Sequence, residues 1–454
     1  MERSVLSGVA SGALSRETLL NAVPNGDEPT AGTSRIGTDL VADGPRRILI
    51  VALNYAPELV GCAKYSTELA EDLVARGHTV EVVCAPPYYP QWKIGEGYSG
   101  AEWRREERNG VVLHRVPLYV PPKPTGVKRI AHLASFGLTA APAAVAAALR
   151  FKPHLVFAVA PTLTAAAAAW MAAKASGAAG WLHIQDFEVD AAFDLGLLSN
   201  QTARSTALGI ERTVLRRFDR VSSISPAMTG LLARKGVAAD RIVELRNWVD
   251  VDAVSVFPSS DTAYRRELGI PADRIVALYS GNMAAKQGIE MLGEVATRLR
   301  DAGAPVTLML CGDGPARAGL EAACAGLDNV RFLPLQPMER LPELLGTADI
   351  HLLPQRPEAA DLVLPSKLTG MLASGRAVVA MAAPGTGLAH EVEGCGLAVD
   401  TTAQAMTAGI LDLVADPAAR QAFGMQARVR AEERWRKSEI IGAFEQTVQA
   451  LRKA

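Results

Sequence analysis

Short runs that are apolar almost throughout recur along the chain at 48–53, 79–84, 155–159, 181–185 and 220–224, and again at 275–280, 306–310, 330–333, 350–353 and 377–380. Runs of that length without polar alternation read as strands buried on both faces, the condition of a parallel sheet covered by helices. Between the first two runs, Tyr65, Leu69 and Leu73 repeat at helical spacing over 64–76, and Gly77-His78 ends the pattern. Strand, loop, helix, strand is the unit of a doubly wound sheet. Two such sets predict two Rossmann-like α/β halves facing a cleft, with ligand outside the carboxyl ends of the strands. The segment Arg246-Asn247-Trp248-Val249-Asp250 and a polar stretch at 257–262 part the two sets. We therefore expect a first domain over 45–255, a second over 256–430, and a charged amphipathic helix over 431–454 capping the second.

Composition narrows the class. Hydrophobic residues make up 49% of the 454, enough for sizeable cores, and the formal net charge of -1 argues against a nucleic-acid-binding protein. Cys62, Cys84, Cys311, Cys324 and Cys395 show neither paired nor zinc-finger spacing, so free thiols are expected. Residues 1–44 are rich in Gly, Ser and Thr and lack both a basic start and an apolar core. They read as a disordered tail and not as a secretory signal. The uncharged stretch 155–173 is interrupted by Pro161 and Thr162, so it reads as a strand and an Ala-rich helix. No transmembrane helix is expected, and the protein is placed in the cytoplasm.

Three loops in the second half carry candidate chemistry. The first strand there runs into Ser280-Gly281-Asn282-Met283-Ala284-Ala285-Lys286-Gln287-Gly288 before a helix at 289–300. The second leads to Cys311-Gly312-Asp313-Gly314-Pro315, and the fourth to Leu364-Pro365-Ser366-Lys367-Leu368. Glycines allow close backbone approach, and ammonium groups beside helix starts suit an anion. Three such loops on one edge predict a diphosphate site. In the first half, Gly61 follows the first strand where a dinucleotide fingerprint is absent, and reads as a backbone approaching a ligand. Asp250-Val251-Asp252 matches a metal-binding D-x-D, but its place between the halves favours capping, and neither a metal nor a cofactor is expected.

These motifs give the chain its resemblance. Tyr55-Ala56-Pro57-Glu58 with Gly61, Arg76-Gly77-His78-Thr79-Val80, Arg246-Asn247-Trp248-Val249-Asp250, Gly281-Asn282-Met283 with Lys286-Gln287-Gly288, Gly312-Asp313-Gly314-Pro315, and Pro365-Ser366-Lys367-Leu368 with Ala373-Ser374-Gly375 span about residues 46–440. In that order they resemble the family-four (group 1) glycosyltransferases of GT-B fold, most closely the colanic-acid and exopolysaccharide biosynthesis branch. The resemblance implies retaining, metal-independent transfer from a nucleoside diphosphate-sugar to a glycan or lipid-linked glycan acceptor. It implies that Lys286 contacts the donor diphosphate and that Gly61 lies under the phosphates and acceptor; with the loops above, Gly281, Asn282, Gly312, Gly314, Ser366 and Lys367 complete the expected donor site. It also implies Asp186 as catalytic group, with Glu188 and His183 behind it and Lys286 stabilising the leaving group. Three positions depart from the family. Asn282 stands where an arginine is common, and Leu362 and Gly370 stand where two glutamates are common. A nucleotide-sugar epimerase and a degenerate nucleotide-sugar-binding protein are the rival readings.

A final expectation concerns lipid. The window 104–152 holds nine Lys/Arg and two Glu, and its helix from Lys128 presents Ile130, Leu133, Phe136 and Leu138. An amphipathic basic face of this kind predicts peripheral contact with the inner face of a membrane, the alternative being a solvated charge cluster.

Overall fold

The computed structural model describes residues 44–58, 61–123, 126–160, 163–187, 201–283, 287–356 and 364–451. At the centre of the first half lies β1 (Arg47–Ala52), hydrogen-bonded in parallel to β2 (Thr79–Cys84) on one side and β5 (Leu155–Ala160) on the other. With β3 (Arg104–Arg108), β4 (Val111–Arg115), β6 (Ala179–Ile184), β7 (Arg220–Ser223) and β8 (Ile242–Glu244) it forms a sheet of order β3-β4-β2-β1-β5-β6-β7-β8. Only β3 runs antiparallel, against β4. Ile48 to Val51 are wholly buried, as a strand covered on both faces requires. The covering helices are α1 (Cys62–Ala75), α2 (Gly126–Phe151), α3 (Leu163–Ser176), α4 (Gln201–Leu215) and α5 (Pro226–Arg234).

The second half repeats the plan. β9 (Ile275–Ser280), β10 (Val306–Cys311), β11 (Val330–Leu333), β12 (Ile350–Leu353), β13 (Ala377–Met381) and β14 (Gly396–Val399) form an all-parallel sheet of order β11-β10-β9-β12-β13-β14. Its helices are α6 (Ala263–Glu267), α7 (Met291–Asp301), α8 (Arg317–Ala323), α9 (Leu341–Thr347), α10 (Lys367–Ala373), α11 (Gly387–Val392), α12 (Ala403–Ala415) and α13 (Pro417–Trp435). In each sheet the chain leaves the first strand to one side and later returns to its other side, so a crevice opens at its carboxyl end. Pro45–Ala454 is one compact unit containing both sheets.

The apolar runs locate most of the buried strands, and they leave out β3, β4, β8 and β14, of which all but β4 lie at a sheet edge. β3 reads Arg-Arg-Glu-Glu-Arg and carries no apolar signal, being a charged strand at an open sheet edge. The short β8 and β14 close the far edges of the two sheets.

The chain end corrects an expectation. Instead of one helix capping the second half, α13 stops at Trp435 and α14 (Lys437–Ala450) restarts and returns to the first half. Ile441, Phe444 and Val448 enter the first core, with the Phe444 ring 5.0 Å from Phe157 and 4.8 Å from Trp181. At the crossing, the Val249 N–H donates to the Trp435 carbonyl at 2.9 Å and the Lys437 N–H donates to the Val249 carbonyl at 3.1 Å. The two connections between the halves therefore run side by side.

The face expected on α2 is also different. Phe136 is fully buried and Leu133 packs against the first core, while Val127 (80%), Ile130 (52%), Leu138 (77%) and Leu149 (54%) are exposed. By length and composition α2 could cross a membrane, but His132, Phe136, Ala140, Ala144, Ala147 and Ala148 put one side of it into the core. The basic window thins out too. Arg115 is buried and ties the loops after β1 and β2 through the carbonyls of Ala56 and Ala85, and Arg150 pairs with Glu81.

Candidate functional site

The loops after β9 and β10 are stitched to one another. The Gly281 N–H donates to the Cys311 carbonyl at 3.0 Å, the Met283 N–H to the Asp313 carbonyl at 2.8 Å, and the Ala316 N–H to the Met283 carbonyl at 2.9 Å. This contact explains both glycines of the second loop. At Gly312, φ is +150° and a Cβ would overlap the Gly281 carbonyl; at Gly314, φ is +149° and a Cβ would lie 2.6 Å from the Met283 oxygen. The close approach made there is to the neighbouring backbone.

Lys367 reaches this loop pair from the start of α10. Its ammonium donates to the Tyr279 hydroxyl at 2.9 Å, and that hydroxyl donates to the Asn282 carbonyl at 2.7 Å. A Cβ on Gly281 would stand 3.5 Å from the Lys367 Nζ. Gly281, Asn282 and Lys367 thus form one cluster at the carboxyl end of β9. Ser366 is next to it, and its side chain and that of Thr369 meet the Tyr65 hydroxyl of the first half. Lys286 and Glu188 lie outside the described residues, as does Leu362.

The first-half wall is organised by Glu58. This carboxylate is buried and accepts three N–H groups: Tyr88 N at 2.7 Å, Tyr89 N at 2.8 Å and Asn54 Nδ2 at 2.8 Å. Burial pushes its ionisation upward, and the three donors oppose that shift. The loops after β1 and β2 are thereby held together. Beyond Glu58, Gly61 begins α1 at φ +61°, ψ −141°, and a Cβ there would meet nothing within 4 Å among the described residues. Asp186 is half-buried at the end of β6, near enough to Tyr89 to oppose its ionisation.

His183, a strand turn earlier, is engaged in the core. Its Nδ1 donates to the Ser222 hydroxyl at 2.9 Å, and its Nε2 accepts from the Gln185 amide at 2.8 Å. Burial holds its pKa down at about 3, so the ring is neutral and fixed. The Gln185 amide also reaches the Asn247 oxygen at 2.9 Å, which accounts for that residue of the Arg-Asn-Trp-Val-Asp motif. Trp248 Nε1 donates to Glu68 at 2.7 Å, and Arg246 pairs with Glu391 at 2.7 Å. Asp250 caps the turn through the N–H groups of Asp252 and Ala253, and Asp252 pairs with Arg436 at 3.0 Å. The D-x-D pattern is thus committed to the crossing between the halves.

The two walls also touch at a pair that sequence reading missed. Asn282 Nδ2 donates to the Tyr89 hydroxyl at 3.2 Å across 193 positions of chain. Cys62, next to Gly61, and Asp186 both lie near enough to Tyr89 to oppose its ionisation. The signal for Tyr89 was its position in Pro86-Pro87-Tyr88-Tyr89-Pro90, directly after a strand on the cleft edge.

Known proteins bear on this geometry. Residues 60–248 match a glycosyl transferase 4-like domain and residues 260–430 match glycosyl transferases group 1. The chain is 41% identical over 374 residues to WcaI of Escherichia coli (strain K12), a glycosyl transferase assigned to colanic acid biosynthesis, spanning 80% of this chain and 91% of that protein. It is 26% identical to a GDP-mannose-dependent alpha-(1-6)-phosphatidylinositol monomannoside mannosyltransferase of Mycolicibacterium smegmatis, over 86% of this chain and 94% of that one. HepE of Anabaena, solved with UDP and glucose, superposes with a TM-score of 0.65 at 17% identity, covering 89% of this chain and 100% of that one. The two-sheet arrangement is the GT-B fold.

Proposed function

Since the chain belongs to the group 1 glycosyltransferases, we propose that its cleft moves a sugar from a nucleoside diphosphate-sugar to a glycan acceptor, carried on a lipid, in exopolysaccharide or cell-surface glycan synthesis. The observation that carries this is the meeting of loops from both halves around Asn282 and Tyr89, with Lys367 behind. Lys286, Lys367 and the loop backbone at 281–283 receive the diphosphate, and Gly312 and Gly314 keep that loop in place. Gly61 leaves room at the start of α1, where the positive end of the helix favours an anion. Asp186 serves the transferred sugar, with Glu188 as its neighbour. Ser366 closes the wall beside Tyr65.

Transfer proceeds with retention and without a metal. In support, Asp250 and Asp252 are already occupied by a turn and by Arg436. Turnover of nucleotide-sugars with a lipid-linked acceptor, in the presence and absence of EDTA, tests the reading. Acceptor-dependent transfer that survives chelation is expected. Donor isomerisation without acceptor, or binding without turnover, would sink it, and loss with EDTA restored by Mn²⁺ would return the aspartates to the site.

The acceptor's lipid brings the enzyme to the inner face of the membrane. Lys123, Lys128 and Arg129 are exposed around the first turn of α2, beside exposed Val127 and Ile130. From Asn109 to Gln185 there is no Asp or Glu. Basic groups beside an apolar stripe suit an anionic lipid surface. The protein should sediment with anionic vesicles at low salt and release as salt screens the charges. Equal binding to neutral vesicles, or none to either, removes this part.

A further inference from the structure

Tyr89 is held rigidly from below and reaches across the cleft at its tip. Its backbone N–H and that of Tyr88 share one oxygen of buried Glu58. The Tyr88 hydroxyl donates to His132 Nε2 at 3.1 Å, and His132 Nδ1 donates to the Tyr119 carbonyl at 2.6 Å. Tyr88 stands edge-on to Tyr89, Trp92 and His132. The loop after β2 is therefore packed underneath, and the Tyr89 hydroxyl projects toward the second half.

What it meets there is the head of another chain of bonds. Asn282 donates its side-chain amide to Tyr89 at 3.2 Å, and its carbonyl accepts the Tyr279 hydroxyl, which in turn accepts the Lys367 ammonium. Glu58, Tyr89, Asn282, Tyr279 and Lys367 thus form one continuous hydrogen-bonded line from the first core to the cation of the second half.

We propose that Tyr89 is a positioning residue of the transfer reaction: by holding Asn282 across the cleft, it sets where the loop 280–283 and Lys367 stand over the donor diphosphate. This rests on the donor-site reading above. The contact across the cleft is a neutral amide tied to a tyrosine of the opposite wall. Because Tyr89 accepts from Asn282, its own O–H remains a donor for an oxygen of the bound sugar or phosphate. Burial, with Cys62, Glu58 and Asp186 adding to it and Arg129 opposing, raises its ionisation and keeps that proton in place.

The test compares wild type, Tyr89→Phe, Asn282→Ala and the double variant as full chains. Calorimetric titration with UDP, GDP, ADP and dTDP comes first, then KM and kcat with the sugar of whichever nucleotide binds. Tyr89→Phe keeps the ring and should raise the donor KM about tenfold with kcat changed less than about threefold, the loss expected for one hydrogen bond. Asn282→Ala should do the same, and the double variant should be no worse than the weaker single one. If Tyr89→Phe melts early, Asn282→Ala reads the same bond from an exposed side chain. Wild-type nucleotide binding with a Tyr89→Phe donor KM within about twofold of normal, or effects that multiply in the double variant, would overturn the assignment alone. A folded wild type that binds none of the four nucleotides would overturn the donor-site reading and this assignment with it.

Discussion

Glycines at the carboxyl ends of strands serve opposite purposes in the two halves. Gly312 and Gly314 have no side chain because backbone from the adjacent loop occupies the space a Cβ would need. Among the described residues Gly61 has no neighbour within 4 Å of that point, at the start of a 14-residue helix. The second-half loops are therefore rigid through mutual packing, while the first-half loop leaves room. A site built this way has one preformed wall and one wall with space for a ligand, as the proposed donor site in the second half requires.

The largest effect should come from filling the packed side. Gly312→Ala forces a methyl group onto the Gly281 carbonyl at a strained φ, and should cost about 3 kcal/mol of stability or more. Chemical denaturation of the full chain reads this, and an unchanged midpoint would show that the loops are not interlocked. Next in size, Lys286→Ala should fold normally and lose about a hundredfold in turnover, near 3 kcal/mol, because charge growing on the leaving diphosphate needs a fixed cation. A stable variant within a few-fold of wild type would hand that role to Lys367.

Each half also carries a buried neutral histidine. His183 and His351 are held at about 3 by burial, His351 also by Arg376. An unfolded histidine titrates near 6.5, so the unfolded chain takes up protons that the folded one refuses. Stability is complete above about pH 6.5 and falls as pH drops toward 3, by about 1.4 kcal/mol per unit for each histidine. Melts between pH 7.5 and 5 should therefore show a decline that His183→Gln and His351→Gln each partly flatten. A profile independent of pH would break this account. The smallest stability effect belongs to Gly61→Ala, about 1–2 kcal/mol for the backbone alone. Turnover should fall about tenfold or more if the methyl enters the space proposed for the ligand. A large stability loss with normal turnover would erase the contrast between the halves.

Much of this was legible beforehand. Buried strands on both sheets announce themselves as apolar runs, because a strand covered on both faces has no solvent side to keep polar. The cleft followed from two such sets. By contrast, Arg-Arg-Glu-Glu-Arg in β3 is silent, since an edge strand pairs through its backbone and leaves its side chains in water. On α2, Phe136 and Leu138 are two residues apart on one apolar helix, yet one is core and the other is 77% exposed. Apolar periodicity without polar contrast does not say which side faces the protein. The end of the chain misled for a similar reason: Ile441, Phe444 and Val448 mark a buried stripe but not the half that buries it.

By itself the sequence determined two doubly wound halves, the positions of their cleft loops, a near-zero net charge and the family motifs in order. These depend on local periodicity, on backbone demands at glycine and on residue types, all of which are written within a few positions. The structure alone decided that Gly312 and Gly61 differ in what surrounds them, that α14 returns to the first core, and that His183 is spoken for. It also decided that Asn282 meets Tyr89 at 3.2 Å from 193 residues away. Such contacts depend on how two sheets are brought together by packing along their whole length, and no single segment of the chain contains that information.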